Sequence, residues 1–112
     1  MTTTPGTVIK ELQRLIQEND RGGNALYDAE IELADAESEL DRIETKEFLS
    51  ASGTVAERER IARMKANEAR LIRDLKKAEV SRIKQKIRAL ESALTANQTI
   101  ARLIDLEVKN YA

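Results

Sequence analysis

Two ladders of apolar residues in this chain match each other across a single turn. Leu26, Ala29, Leu33, Ala36, Leu40 and Ile43 step alternately by three and four, the spacing of a helical seam. Beyond the turn, Ile61, Met64, Glu68, Leu71, Leu75 and Ala78 repeat the pattern. Folding the chain about Ser52 pairs positions whose numbers sum to 104: 43 with 61, 40 with 64, 36 with 68, 33 with 71, 29 with 75 and 26 with 78. Glu68 is the one polar member, and it faces small Ala36. The expected fold class is therefore all-α: a coiled-coil-like antiparallel helical hairpin, with a short helix before it and a long helix completing it.

Local signals divide the chain. Thr7 is the candidate N-cap of a first helix over 8–20. Gly22 and Gly23 interrupt the pattern, since glycine weakens helix interiors and favours their ends. A second helix follows over 24–50, then a turn at Ser50, Ala51, Ser52 and Gly53. Thr54 and Glu57 form the T-x-x-E capping box that starts a third helix over 54–110, with no strong breaker inside it. Residues 1–6 are expected to be disordered, and 7–112 to form one all-helical domain. Val8, Leu12, Leu15, Asn19, Gly22 and Leu26 keep the heptad frame across the glycines, which leaves a kinked helix and a reversal both open.

The third helix changes its stripe near the level of the glycines. From there the seam reads Val80, Ile83, Ile87, Leu90, Leu94, Asn97, Ala101, Ile104, Val108 and Tyr111, whereas the earlier frame calls for Arg82, Gln85, Ala89 and Ser92. A rotated stripe implies a change of partner. A second apolar stripe, Ala89, Ala93, Ala96, Ile100 and Leu103, runs beside it. A helix apolar on two sides must be buried on two sides. The first segment, with Val8, Ile9, Leu12, Leu15 and Ile16, covers one of them, and the other requires a second subunit. The expected oligomerisation residues are Val80, Ile83, Ile87, Leu90, Leu94, Asn97, Ile100, Leu103, Ile104 and Val108, assembling the chain into a helical homo-oligomer. Asn97 either fixes the register of that assembly or marks a solvated stretch of the seam.

Composition agrees with long helices rather than a compact core. The chain of 112 residues is 35% charged, 41% hydrophobic and only 3% aromatic, so burial must come from Leu, Ile and Ala layers instead of ring bulk. Cysteine and histidine are absent, which removes thiolate metal sites and the commonest catalytic base. No Gly-rich phosphate loop is present, and the carboxylates are spaced as helix-surface charges. An enzyme, a cofactor and a bound metal are not expected. The first residues carry no signal-peptide stretch, and the uncharged runs are too short to span a bilayer. The expectation is a cytoplasmic protein without membrane contact.

Charge is the remaining feature with chemical specificity. Residues 24–50 hold nine acids against Arg42 and Lys46, and residues 56–90 hold twelve basic residues against five acids. An acidic helix beside a basic one gains pairing that fixes partner and orientation. The basic excess nevertheless concentrates in Arg70, Arg73, Lys76, Lys77, Arg82, Lys84, Lys86 and Arg88, with only Asp74 and Glu79 among them. Five of these, Arg70, Arg73, Lys77, Lys84 and Arg88, share one face. Such a stripe either tracks a phosphate backbone, releasing counterions, or docks an acidic protein surface.

A short acidic arm, a turn carrying the segment GTVAERE (Gly53 to Glu59), and a long basic helix with an Ile/Leu/Ala-rich tail together resemble small helical proteins of bacteriophage genomes. The layout is similar to the phage recombination mediator family typified by UvsY. That resemblance spans most of residues 24–111 as architecture and specific residues only in the turn. It implies a ring-like helical oligomer that binds single-stranded DNA and helps load a recombinase onto strands held by a single-strand-binding protein, in the infected host cell. It assigns no individual DNA-binding residue. The competing expectation is a helical scaffold or adaptor that binds another protein and no nucleic acid.

Overall fold

The computed structural model of the protein describes residues 4–111, and everything in them that is regular is helical. Helix α1 spans Pro5–Ser50, α2 spans Val55–Lys65 and α3 spans Asn67–Tyr111. Met1, Thr2 and Thr3, half of the stretch expected to be disordered, lie outside the described residues. Pro5 and Gly6 are already helical.

Helix α1 starts at Pro5, three residues earlier than expected. Thr4 Oγ1 accepts from the Thr7 amide at 3.1 Å, and the Val8 amide donates to the Thr4 carbonyl at 3.1 Å. Pro5 then occupies the first helical position, where a missing N–H costs nothing and its fixed φ suits the helix. Thr7 is therefore the third residue of the first turn, not the cap.

The expected break at Gly22 and Gly23 does not occur: α1 passes through both. Its inward stripe stays in one heptad frame, and Val8, Leu15, Ala29 and Leu40 are buried along it. Leu12, Asn19, Gly22, Leu26, Leu33, Ala36 and Ile43 are half-buried in the same frame.

The turn falls where the sequence places it. Gly53 adopts φ +113°, a conformation that side chains rarely take. Thr54 is extended, and its hydroxyl accepts from the Glu57 amide at 3.2 Å, capping α2. Arg58 closes the other side of the turn. Its Nε donates to the Phe48 carbonyl at 3.1 Å, and its guanidinium lies 4.4 Å from the Phe48 ring centroid. One side chain thus satisfies a carbonyl near the end of α1 and stacks on the largest ring nearby.

The third expected helix is two elements, because Ala66 interrupts it with φ −90° and ψ 5°. Ala66 is fully buried and forms a cluster with Leu40 and Ala69, against which Ile43 packs. That contact overturns the expected register. Leu40 meets positions 66 and 69, not 64, and the residues expected to face inward point outward: Met64 is 70% exposed, Leu71 59% and Leu75 62%. The inward stripe is instead Ala62, Ala66, Ala69, Arg73, Lys76 and Val80, all buried or half-buried. Small alanines admit close approach of Leu40, and the aliphatic stems of Arg73 and Lys76 cover seam while their charged ends reach water.

Continued along α3, that frame runs through Ile83, Ile87, Leu90, Leu94, Asn97, Ala101 and Ile104, all half-buried. There is no change of stripe at Val80. The frame read from Val80 onward simply extends back to Ala62.

The chain divides into two compact units, Leu26–Arg82 and the remainder, in which the first part of α1 packs with α3 from Ile83 onward. In the second of these units, an added Cβ on Gly22 would stand 2.9 Å from Ile87 Cγ1. Near its far end, Pro5, Val8 and Ile9 share a groove with Ala101, Ile104 and Val108. Among the described residues, no helix is long and apolar enough to cross a membrane.

Candidate nucleic-acid interface

The eight cations singled out by sequence do not form one uniform surface. Within the Leu26–Arg82 unit, Arg70 is committed to the fold. Its Nη2 donates to Glu44 Oε1 at 2.7 Å, and its Nη1 donates to the Arg63 carbonyl at 3.4 Å. Lys76 donates to Glu32 Oε2 at 3.0 Å. Lys65, not among the eight, pairs with Glu47 at 3.2 Å. On α1 the acids run 47, 44, 32 as the cations on α2 and α3 run 65, 70, 76, so the acidic and basic segments neutralise one another across the seam.

Two more cations are held along their own helix. Arg73 Nε donates to Asp74 Oδ1 at 2.7 Å, and Arg82 Nη2 to Glu79 Oε1 at 3.0 Å. Half of the stripe is thereby spent. Among the described residues, Lys77, Lys84, Lys86 and Arg88 make no ion pair within 4.0 Å. Lys77 lies one heptad beyond Arg70 and is exposed.

The other three belong with α3 from Ile83 onward. Between Glu79 and Glu91 run eleven residues that contain Arg82, Lys84, Lys86 and Arg88 and no acid. Ile87, in their midst, packs against Gly22. The α1 residues Gly22, Gly23, Asn24 and Ala25 carry no charge, while Asp20 and Arg21 stand immediately before them and Arg21 pairs with Glu18. Lys84, Lys86 and Arg88 are exposed.

The residues expected to build an oligomer also divide. Val80 is buried, and Ile83, Ile87, Leu90, Leu94, Asn97 and Ile104 lie half-buried on the inward stripe of α3. Asn97 Nδ2 donates to the Ala93 carbonyl of its own helix at 2.9 Å. Ile100, Leu103 and Val108 are exposed. The Tyr111 side chain lies outside the described residues.

Sequence reasoning missed a concavity of about 640 Å³ beside the Glu44–Arg70 pair, lined by Asp41, Phe48 and Leu49 on α1 and by Glu59 and Arg63 on α2. It also missed the outward apolar ridge of Met64, Leu71, Ile72 and Leu75. Three of these four belong to the second ladder, which faces the opposite side of the helix from the one its spacing suggests. Among the described residues, no three acidic, histidine or cysteine side chains are grouped to hold a metal ion. Compared with protein-family models, with curated proteins and with solved structures, the chain matches none.

Proposed function

We propose that this chain is a self-associating accessory protein of bacteriophage recombination or replication that binds single-stranded DNA without sequence preference and helps load a recombinase. In this reading Leu26–Arg82 is an antiparallel helical hairpin, and the protein works in the cytoplasm of the infected cell, beside a recombinase and a single-strand-binding protein. One observation supports the nucleic-acid part: Lys84, Lys86 and Arg88 are exposed and make no ion pair among the described residues, and Ile87 in their midst packs at Gly22, where residues 22–25 of the opposing helix carry no charge. Cations without a counter-charge in their own fold retain their full attraction for phosphate, and each phosphate neutralised releases condensed counterions. The exposed Ile100, Leu103 and Val108 provide apolar surface for joining copies.

Titration of a labelled oligothymidine at low and moderate salt tests this directly. Binding should weaken as salt rises. Reversing Lys84, Lys86 and Arg88 to glutamate should abolish it, while the helical content stays unchanged. An unaltered affinity in that triple variant, or no binding at either salt, removes the reading.

A second reading, a helical scaffold or adaptor for another protein, draws support from the exposed Leu71 and Leu75 on α3. Bulky apolar side chains in a row on a solvent face mark contact surfaces. Recovery of a protein partner that survives nuclease treatment, with no oligonucleotide binding, would favour it.

A further inference from the structure

Along the flank of α2 and α3 beside α1, one column of residues changes sign about an apolar centre. Lys65, Ile72 and Glu79 are spaced by seven. The Ala66 amide donates to the Ala62 carbonyl and the Arg70 amide to the Ala66 carbonyl, which carries the helical ladder past the interruption. The three therefore stack as cation, apolar group and anion. Beside Ile72 lies a hollow of about 230 Å³, walled by Lys65, Glu68, Ala69 and Ile72 on one side and by Ala36, Glu39 and Ile43 of α1 on the other. Positions 65, 68, 69 and 72 stand at i, i+3, i+4 and i+7, the four corners of the hole that receives a knob in helical packing. No side chain of the described residues occupies it. Leu75, one turn away, projects outward at 62% exposure with Leu71 and Met64 on the same side.

We infer that two copies of this chain pair antiparallel on this face, about a twofold axis at Ile72. An axis there makes the paired positions sum to 144. Position 75 of one copy then falls opposite position 69 of the other, so each Leu75 enters the hollow at Ala69. The same operation brings Lys65 of each copy opposite Glu79 of the other and sets the two Ile72 side chains against each other. A parallel pairing at the same level would instead place Lys65 against Lys65 and Glu79 against Glu79. The charge column thus selects the antiparallel arrangement, and the hole and knob are carried by the same surface, as a twofold contact requires.

Both charged partners can reach a second copy. The Lys65 and Glu79 side chains are 61% and 43% exposed, although Lys65 also pairs with Glu47, whose side chain is 23% exposed, and Glu79 with the exposed Arg82. The proposal shares with the proposed function only the premise that copies associate, and it is independent of Lys84, Lys86 and Arg88. DNA binding and dimerisation therefore fail separately.

The full chain with Ile72→Cys provides the most direct test, since the protein has no cysteine of its own. Mild oxidation should give a covalent dimer in high yield, whereas Ser81→Cys, off the axis, should not crosslink. In sedimentation equilibrium, Leu75→Asp should raise the dimer dissociation constant about tenfold or more. Lys65→Glu and Glu79→Lys should each weaken the dimer, and the two together should restore it. Absence of a crosslink at Ile72→Cys, or a charge-swapped double variant weaker than either single one, overturns the inference.

Discussion

Ile87 lies so close to Gly22 that a methyl group on the glycine would stand 2.9 Å from its Cγ1, while the neighbouring Gly23 has open space around it. The two glycines therefore play different parts, although the sequence presents them as one break. Gly23→Ala should gain about 0.5–1 kcal/mol from helix propensity alone. Gly22→Ala gains the same propensity but forces a β-branched side chain with few alternative rotamers. Its net effect should be neutral or destabilising. Thermal unfolding followed by circular dichroism should separate them, with the melting temperature of Gly23→Ala above the parent and that of Gly22→Ala at or below it.

The same contact shows what the sequence could and could not disclose. The seam of α1 is legible because it is written in large residues, Leu12, Leu15, Leu26, Leu33, Leu40 and Ile43, in one unbroken frame. The distal frame of α3 is legible from Val80 onward for the same reason. Between Ala62 and Lys76 the true seam consists of three alanines and two cations, while the residues two positions further on are Met64, Leu71 and Leu75. A count of bulky apolar residues selects the second set, and so it selects the solvent face. Charge holds the corrective: the Glu44–Arg70 pair fits the alanine frame and no pairing that sums to 104. The candidate cation site is half legible, since position in sequence gives eight cations but not which of them the fold consumes.

Arg70 should prove to be a structural residue. Its side chain is 26% exposed and serves both the Glu44 carboxylate and the Arg63 carbonyl, beside the interruption at Ala66. A double-mutant cycle between Arg70 and Glu44 should yield a coupling near or above ~1 kcal/mol, the upper end for exposed pairs. The cycle between Lys76 and Glu32, whose side chains are 40% and 58% exposed, should yield less. Urea unfolding of the proteins in the two cycles measures both, and equal couplings would contradict the distinction.

The turn depends on two adjacent residues for different reasons. Thr54→Ala removes the acceptor for the Glu57 amide and should cost about 1 kcal/mol. Gly53→Ala must place a side chain at φ +113° and also meets the Glu57 side chain. It should destabilise by at least as much. Gly53→Asn, better tolerated at positive φ though still crowded, should fall between the parent and Gly53→Ala in urea midpoint.

Glu11 and Glu39 are held below the ordinary carboxylate range, chiefly by hydrogen bonds from Arg14 and Arg42. Because the folded value is the lower one, each pair contributes above the unfolded carboxylate value and loses its contribution as pH falls through the folded value. Both sites are open to solvent, so the consequence for stability is minor and the titration itself is the readout. Carbon-detected NMR should find both carboxyls titrating low. Arg14→Gln should return Glu11 upward and leave Glu39 where it was.

Asn19 occupies a seam position of α1 between Leu15 and Gly22, and its Oδ1 is buried without a hydrogen-bond partner among the described residues. Leaving a buried acceptor unpaired costs about 1–3 kcal/mol. Asn19→Leu removes that cost and adds apolar burial in a frame that already accepts leucine at positions 12, 26, 33 and 40. It should raise the urea midpoint without changing the slope of the transition. Asn97 is the useful contrast, since its amide already donates to the Ala93 carbonyl. Asn97→Ile exchanges a satisfied group for an apolar one and should gain less. If the two substitutions stabilise equally, the penalty at Asn19 is not an unpaired acceptor but the general cost of an amide on an apolar seam.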